Sequence, residues 1–347
     1  MTGIDKINFL SLKYKLFDRG GESKLNSKKG GFMTLKSLVA VVFLSGLSLL
    51  FILSSPSLSA EAQFVGNEVC GSCHTAQYEI WAKTQHAADF TNYPYGNQRI
   101  NMYTYMQGYC QSCHTVGYGQ PGGFDKNRPW DQQQALLKIG CENCHGPGSL
   151  HASATGEARR KTISKIPDPK GCIKCHVSSY GVFPTGAAKD KDLATTPRRQ
   201  SAMLYGINGY EYPDSTYISS LHRNVVVGLC ITCHLSPSES HDLKADLDAC
   251  QKCHGGATNF NINGRQEEIR SLLQSLQSKL EAFKKAHSKT TKDAQGKDLV
   301  TWDTTANQIT FDRAQYNFSF VENDRSLGVH NYKYARQLLV DSIIKLP

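Results

Sequence analysis

The sequence predicts a mainly α fold with long loops, and three observations carry that prediction. A five-residue pattern, Cys-x-x-Cys-His, occurs six times between residues 70 and 254 and uses all 12 cysteines of the 347-residue chain. The chain between the copies is rich in Gly, Tyr, Asn and Ser and shows no regular period. From about residue 259, apolar residues recur three and four positions apart, which is typical of amphipathic helices.

The repeated motif indicates covalent haem binding. In c-type cytochromes two thiols of Cys-x-x-Cys-His bond to the haem, and the adjoining histidine binds its iron. The predicted attachment residues are Cys70, Cys73, Cys110, Cys113, Cys141, Cys144, Cys172, Cys175, Cys230, Cys233, Cys250 and Cys253. The predicted proximal ligands are His74, His114, His145, His176, His234 and His254. The sequence therefore predicts six covalently bound c-type haems with their iron.

Zinc binding and disulfide bonding are the alternatives to haem for these cysteines. Paired Cys-x-x-Cys motifs also make four-cysteine zinc sites, and a secreted chain can use cysteines as a disulfide framework. Neither arrangement requires a histidine directly after every second cysteine. A Cys-x-x-Cys-His is expected by chance on the order of 0.01 times in such a chain, so six copies favour haem.

The remaining histidines match the haems in number. The chain has 12 histidines, and six lie outside the motifs: His86, His151, His222, His241, His287 and His330. We predict these as distal ligands, which would make every haem bis-histidine and suit electron transfer, because catalytic haems keep an open axial position. The alternative is that a methionine replaces one imidazole, and the candidates are Met102, Met106 and Met203.

The N-terminal segment predicts export. Lysines at 28, 29 and 36 precede an apolar run over residues 38–53, and Ala60-Glu-Ala62 offers a cleavage site. We therefore assign residues 1–62 to an N-terminal extension and signal peptide, and place the protein in the periplasm or on the outer surface. The alternative is an uncleaved membrane anchor, the one case in which we expect membrane contact. Met33 stands where a conventional signal peptide would start, so translation can begin there.

The charge of the chain does not indicate nucleic-acid binding. The formal net charge is +9. Each ferric c-type haem with its two propionates adds about −1, so six haems largely offset the basic balance. No aromatic–basic recognition pattern accompanies the charge. Nucleic acid is therefore not an expected partner, whereas redox proteins are.

The composition divides the rest of the chain into a haem-binding region, 63–258, and a C-terminal helical region, 259–347. In the first, haem faces and aromatic side chains are expected to supply the core. In the second we predict helices over 265–287, 312–322 and 331–346, with a polar loop over 288–307. We expect this region to pack on the haems and to place His287 and His330 beside them as ligands. The alternative is a separate helical cap or interaction domain.

The motif region resembles the multihaem c-type cytochromes related to the tetrahaem electron carrier of hydroxylamine oxidoreductase and, more distantly, to pentahaem nitrite reductase. The matching segments are 69–74 with Trp81 and His86, 110–124, and 140–151, while 328–331 looks like a distal-ligand segment. The resemblance implies a stacked haem array, with His86 and His151 binding haems other than those of their nearest motifs. The nitrite reductases carry a Cys-x-x-Cys-Lys motif at the catalytic haem, and this sequence has none.

The sequence thus favours an electron-transfer protein over an enzyme. Two alternatives stay open: a reductase of nitrogen or sulfur oxyanions with one open-site haem, and a subunit of an extracellular cytochrome filament. The expected partners are redox proteins, including other cytochromes or further copies of this chain.

Overall fold

Short helices and connecting loops form the first part of the structure, and three long helices form the last. The computed structural model describes residues 61–95, 98–104, 108, 110–176, 200–235 and 240–347. Residues 1–60 of the predicted extension, which include the apolar run, lie outside these residues, as do Met106 and the segment 177–199. Within the described residues, no helix is long and apolar enough to cross a membrane.

The haem-binding region contains helices of four to eight residues. They are α1 (Asn67–Gly71), α2 (Thr75–Trp81), α3 (Gln111–His114), α4 (Cys141–His145), α5 (Ser149–Ser153), α6 (Gly156–Arg160), α7 (Pro169–His176), α8 (Gln200–Tyr205), α9 (Leu221–Val225), α10 (Cys230–His234) and α11 (Leu247–Gln251). Segments of 3-10 helix cover Gln85–Ala87, Trp130–Leu136 and Ile262–Gly264. Strands β1 (Tyr93–Tyr95) and β2 (Gln98–Ile100) pair antiparallel.

The C-terminal region consists of three helices and a hairpin. Helix α12 spans Arg265–His287, α13 spans Thr305–Asp324 and α14 spans Tyr332–Lys345. The first begins and ends at the predicted residues. Its predicted apolar stripe is buried at Ile269, Leu276, Leu280 and Phe283, and acidic residues in the first turn with basic residues in the last complement its dipole.

The predicted polar loop over 288–307 is wrong. Strands β3 (Ser288–Lys292) and β4 (Asp298–Trp302) form an antiparallel hairpin there, with Ser288 opposite Trp302 and Lys292 opposite Asp298. Helix α13 then begins at Thr305, seven residues before its predicted start. Threonine-rich and β-branched residues on both sides of a turn containing Gly296 favour a hairpin. Most side chains of the hairpin are exposed, so its composition is polar and resembles that of a loop.

Two clusters of buried side chains stabilise the fold. One lies among the long helices and includes Leu276, Phe320, Tyr334 and Leu338, together with Met203 of α8. The other surrounds the second motif; its buried members are Phe90, Ile100, Met102, Tyr103, Cys110, Phe124 and Leu137. Met102 and Met203 are therefore core residues in this structure.

Polar contacts join the C-terminal helices to the haem-binding region. Buried Asn317 of α13 accepts from the Tyr210 backbone N–H at 2.7 Å and donates to its carbonyl oxygen at 2.9 Å. The Tyr334 hydroxyl of α14 accepts from the Gly209 N–H at 3.0 Å. Residues Ala60–Pro347 form one compact unit, and the boundary at 258/259 stays a prediction.

Candidate haem-binding sites

Each Cys-x-x-Cys-His motif lies on or directly beside a short helical turn. We number the motifs sites 1 to 6 in chain order. In sites 1, 2 and 6 the histidine backbone N–H donates to the carbonyl oxygen of the first cysteine, at 2.9, 3.0 and 2.8 Å. One turn of helix brings residues three and four positions apart onto one face. The local fold therefore presents both thiols and the imidazole to one side, as a covalently bound haem requires.

Ten of the twelve histidines form five pairs of neighbouring rings, each pair joining a motif histidine to one outside the motifs. The ring-centroid distances are 6.1 Å for His74 and His151, 6.2 Å for His176 and His86, 6.3 Å for His145 and His241, 6.4 Å for His234 and His330, and 6.2 Å for His254 and His222. The partners come from distant parts of the chain, so tertiary folding makes these pairs.

The ring separations fit an iron between two imidazoles. An imidazole has a radius of about 1.1 Å and binds transition metals at about 2.0–2.1 Å, so trans ligands have centroids about 6.3 Å apart. The pairs lie within about 0.2 Å of that separation. The five pairs thus have the spacing of bis-histidine haem ligands at sites 1, 3, 4, 5 and 6.

In several of the paired rings, the hydrogen bond is made by Nδ1 and not by Nε2. Nδ1 donates to a backbone carbonyl oxygen in four rings: His145 to Ser164 at 2.7 Å, His151 to Arg159 at 2.9 Å, His222 to Val329 at 3.1 Å and His234 to Leu243 at 2.9 Å. A hydrogen bond at one ring nitrogen fixes the tautomer and orientation in which the other binds metal.

Two of the rings have side-chain partners at Nδ1, which sequence reasoning did not identify. His176 lies 3.0 Å from Oε1 of Gln200, and His330 lies 2.7 Å from Oδ1 of Asp324. No local sequence motif identifies either partner. Gln200 and Asp324 lie beside the rings only because α8 and α13 pack there.

Burial adjusts the protonation of these histidines. Burial first, and then the neighbouring His176, lower the pKa of His86 to about 4. Burial also lowers the pKa of His222 and of His234. Burial alone would lower the pKa of His330, but the Asp324 carboxylate outweighs it and the pKa is raised. At neutral pH the first three are therefore neutral imidazoles, the form that binds iron.

The structure does not bring His287 to His114, the remaining two histidines. His287 Nδ1 lies 2.8 Å from Oδ2 of Asp303 and 2.9 Å from Nδ2 of Asn307, and its ring packs on Phe283 at 4.4 Å. The His114 ring meets Phe90 edge-on at 4.1 Å. The predicted ligation by His287 therefore stays a prediction, with site 2 as its implied target.

Hydrogen bonds to a buried carboxylate join the segments around sites 1 and 3. Glu142, 3% exposed, accepts hydrogen bonds from the backbone N–H groups of Val65, Gly66 and Gly148 at 2.7–3.1 Å. Beside it, Asn67 Oδ1 accepts from the Cys141 N–H at 2.9 Å. These bonds join the segments around the two motifs and hold their cysteines at a fixed distance.

Contacts between motifs place the sites in a spatial order. The short helices of neighbouring sites are in contact: α1 with α4, α4 with α7, α7 with α10, and α10 with α11. The order along the molecule is therefore site 1, 3, 4, 5 and 6. Site 2 adjoins site 3, because Asn143 Nδ2 donates to the Thr115 carbonyl oxygen at 2.9 Å.

The histidines and cysteines of these sites do not resemble a metal centre built from side chains alone. Within the described ranges, no group of three or more His, Cys, Asp and Glu side chains could hold a metal ion. The sites instead offer imidazoles in pairs, with cysteines nearby, which suits a prosthetic group that already supplies equatorial nitrogen ligands.

Comparison with known proteins assigns the family. The family model described as cytochrome c554 and c-prime matches residues 69–146. Cytochrome c-554 of Nitrosomonas europaea is 32% identical over 169 residues, covering 42% of this chain and 70% of that protein. The C-type polyheme cytochrome OmcB of Geobacter sulfurreducens is 23% identical over 345 residues, 79% of this chain and 43% of OmcB, so the chain spans less than half of that relative. No solved structure matches. The chain therefore belongs to the family of multihaem c-type cytochromes that includes cytochrome c-554.

Proposed function

We propose that this protein is an exported hexahaem cytochrome that conducts electrons between redox partner proteins, with bis-histidine ligation at five or more of its sites. The observation that carries the proposal is the set of five imidazole pairs at 6.1–6.4 Å. A haem iron with two imidazole ligands is six-coordinate, so it exchanges electrons without binding a substrate.

The spatial order of the sites supports conduction. Sites 1, 3, 4, 5 and 6 adjoin one another in that order through contacts between their short helices. Electrons would enter near one end of this row and leave near the other, with site 2 as a side branch next to site 3. The haems supply the one-electron carriers, and the chain fixes their spacing and axial ligands.

The location of the ligands supports a conduit that works as a single chain. All five histidine pairs form within one molecule. These sites need no histidine from a neighbouring copy, as the filament alternative would allow. Export follows from the covalent attachment of haem, which bacteria carry out outside the cytoplasm, and from the predicted signal segment.

The proposal is tested on the purified holoprotein. Intact-mass measurement should show six haems, and stopped-flow mixing with a small reductant should reduce all of them, with rapid reoxidation by an oxidised cytochrome acceptor. Carbon monoxide should leave the spectrum of the five paired sites unchanged. Turnover of nitrite, hydroxylamine or sulfite, together with carbon monoxide binding, would instead favour the reductase alternative.

A further inference from the structure

We propose that Asp324 is a positioning residue that gives site 5, the haem held by Cys230 and Cys233, the lowest reduction potential of the array. This inference rests on the proposed function, because it assumes that His234 and His330 bind the iron of that site. It goes beyond that function by assigning one haem a thermodynamic role and naming the residue that sets it.

The carboxylate of Asp324 is buried and aimed at an axial ligand. Its Oδ1 lies 2.7 Å from Nδ1 of His330, and the Asp324 side chain is only 1% exposed. Its Oδ2 accepts from the hydroxyl of Ser326, which also accepts from the His330 backbone N–H at 3.2 Å. The turn that ends α13 thus closes on the carboxylate and fixes it against the imidazole.

This contact differs from those at five other paired rings. In four of them Nδ1 donates to an uncharged backbone carbonyl oxygen, and in His176 it faces the uncharged amide of Gln200. A second carboxylate, that of Asp303, lies beside His287, outside the five pairs. That side chain is 46% exposed, so water and salt screen its charge.

A buried carboxylate at an axial imidazole favours ferric iron. A hydrogen bond to a charged acceptor is shorter and about twice as strong as one to a neutral acceptor. It pulls the Nδ1 proton away from the ring, which makes the ring a stronger electron donor to the metal. The fixed negative charge also stabilises the more positive oxidised state, and low polarity strengthens both effects.

Site 5 lies between sites 4 and 6, so a low potential there has a consequence for the whole row. Gln200 links the two neighbours: its Oε1 contacts His176 of site 4, and its Nε2 donates to the Asp324 carbonyl oxygen at 3.5 Å. An electron passing from site 4 to site 6 would cross an uphill step at site 5. Electrons would therefore collect on sites 1, 3 and 4 or on site 6.

The test is a spectroelectrochemical redox titration of the holoprotein carrying Asp324→Asn. Asparagine keeps the size of the side chain and removes its charge. We expect the equilibrium constant for reducing the lowest-potential haem to rise about tenfold, which is about 59 mV for a one-electron couple. The other midpoints and the count of low-spin haems should stay unchanged. Asp324→Glu should keep the wild-type value or come close to it.

Two further variants separate electrostatic tuning from structural damage. Asp303→Asn, the matched control at an exposed carboxylate, should shift no midpoint. Ser326→Ala removes a donor from the Asp324 carboxylate and leaves the charge in place, so the lowest midpoint should fall further. An unchanged lowest midpoint in Asp324→Asn with all low-spin haems retained would overturn the inference. If that variant does not fold, an unchanged or raised lowest midpoint in Ser326→Ala would overturn it.

The outcomes also separate this inference from the proposed function. A wild-type holoprotein with fewer than five low-spin haems would contradict the proposed function itself. If the wild-type protein has the expected low-spin haems but Asp324→Asn does not change their potentials, only the tuning role would be contradicted.

Discussion

The rings of His74 and His151 lie 6.1 Å apart and nearly parallel, with an angle of 23° between their planes. His74 belongs to site 1, whereas His151 follows the motif of site 3. In the proposed ligation, the chain of one site would therefore supply the second ligand of another. The same exchange would recur at His86, which follows site 1 and lies beside His176 of site 4.

Replacing His151 with alanine should convert one low-spin haem to high-spin, because the variant removes the proposed sixth ligand of site 1. Electron paramagnetic resonance of the oxidised holoprotein measures the change, and the reduced form should gain one carbon-monoxide-binding haem. An unaltered low-spin count in a fully haem-loaded variant would show that His151 does not bind iron.

His287→Ala provides the contrasting case. Because His287 is hydrogen-bonded to Asp303 and its ring packs at an angle on Phe283, the structure predicts no change in the number of low-spin haems. The same spectra measure it, with His151→Ala as the positive control. A new high-spin haem would instead make His287 the sixth distal ligand, as the count of histidines in the sequence predicts.

Glu142→Gln should lower the free energy of unfolding of the holoprotein by about 2 kcal/mol, since a buried carboxylate that accepts three backbone N–H groups loses its charge. Guanidinium unfolding measures it. The control is Glu157→Gln at an exposed position of α6, where a change within about 0.5 kcal/mol is expected. Equal effects in the two variants would remove Glu142 as the anchor of sites 1 and 3.

Asn317→Ala should destabilise the holoprotein by about 2–3 kcal/mol, because it leaves the buried backbone groups of Tyr210 without their side-chain partner. Gln274→Ala, an amide-to-methyl change at an exposed position of α12, is the matched control and should change stability little. A loss no larger than the control would mean that the C-terminal helices are joined to the haem region by other contacts.

Blocking haem attachment should unfold the haem-binding region and leave helices α12 to α14 formed. The long helices bury protein side chains against one another, whereas we expect the short helices around the motifs to depend on haem faces for their core. Circular dichroism of the apoprotein and limited proteolysis measure this. Complete loss of helicity would show that the C-terminal region also requires haem.

The sequence predicts candidate ligands one by one because each motif contains its own cysteines and adjoining histidine. It could predict α12 as well, since the stripe from Ile269 to Phe283 repeats at helical spacing. It could not pair His222 with His254 or His234 with His330, because only the packed fold brings these residues together. The equal numbers of motifs and of histidines outside them do not indicate which histidine pairs with which motif.

Sequence patterns also do not predict the residues that surround the proposed ligands. Asp324 precedes His330 by a turn whose geometry depends on Arg325 in a left-handed conformation, with φ of 60°. Glu142 stands between two cysteines of site 3, and its partners belong to the segment before site 1. Such contacts depend on tertiary structure, and a single sequence shows no period or motif for them.

The most direct test of the central claim is a quantitative spin count of the oxidised holoprotein by electron paramagnetic resonance. Five histidine pairs predict five or more low-spin haems with the spectrum of two imidazole ligands, of which one should be lost in His330→Ala. Fewer than five low-spin haems in a preparation that carries all six would contradict the ligation on which the conduit depends.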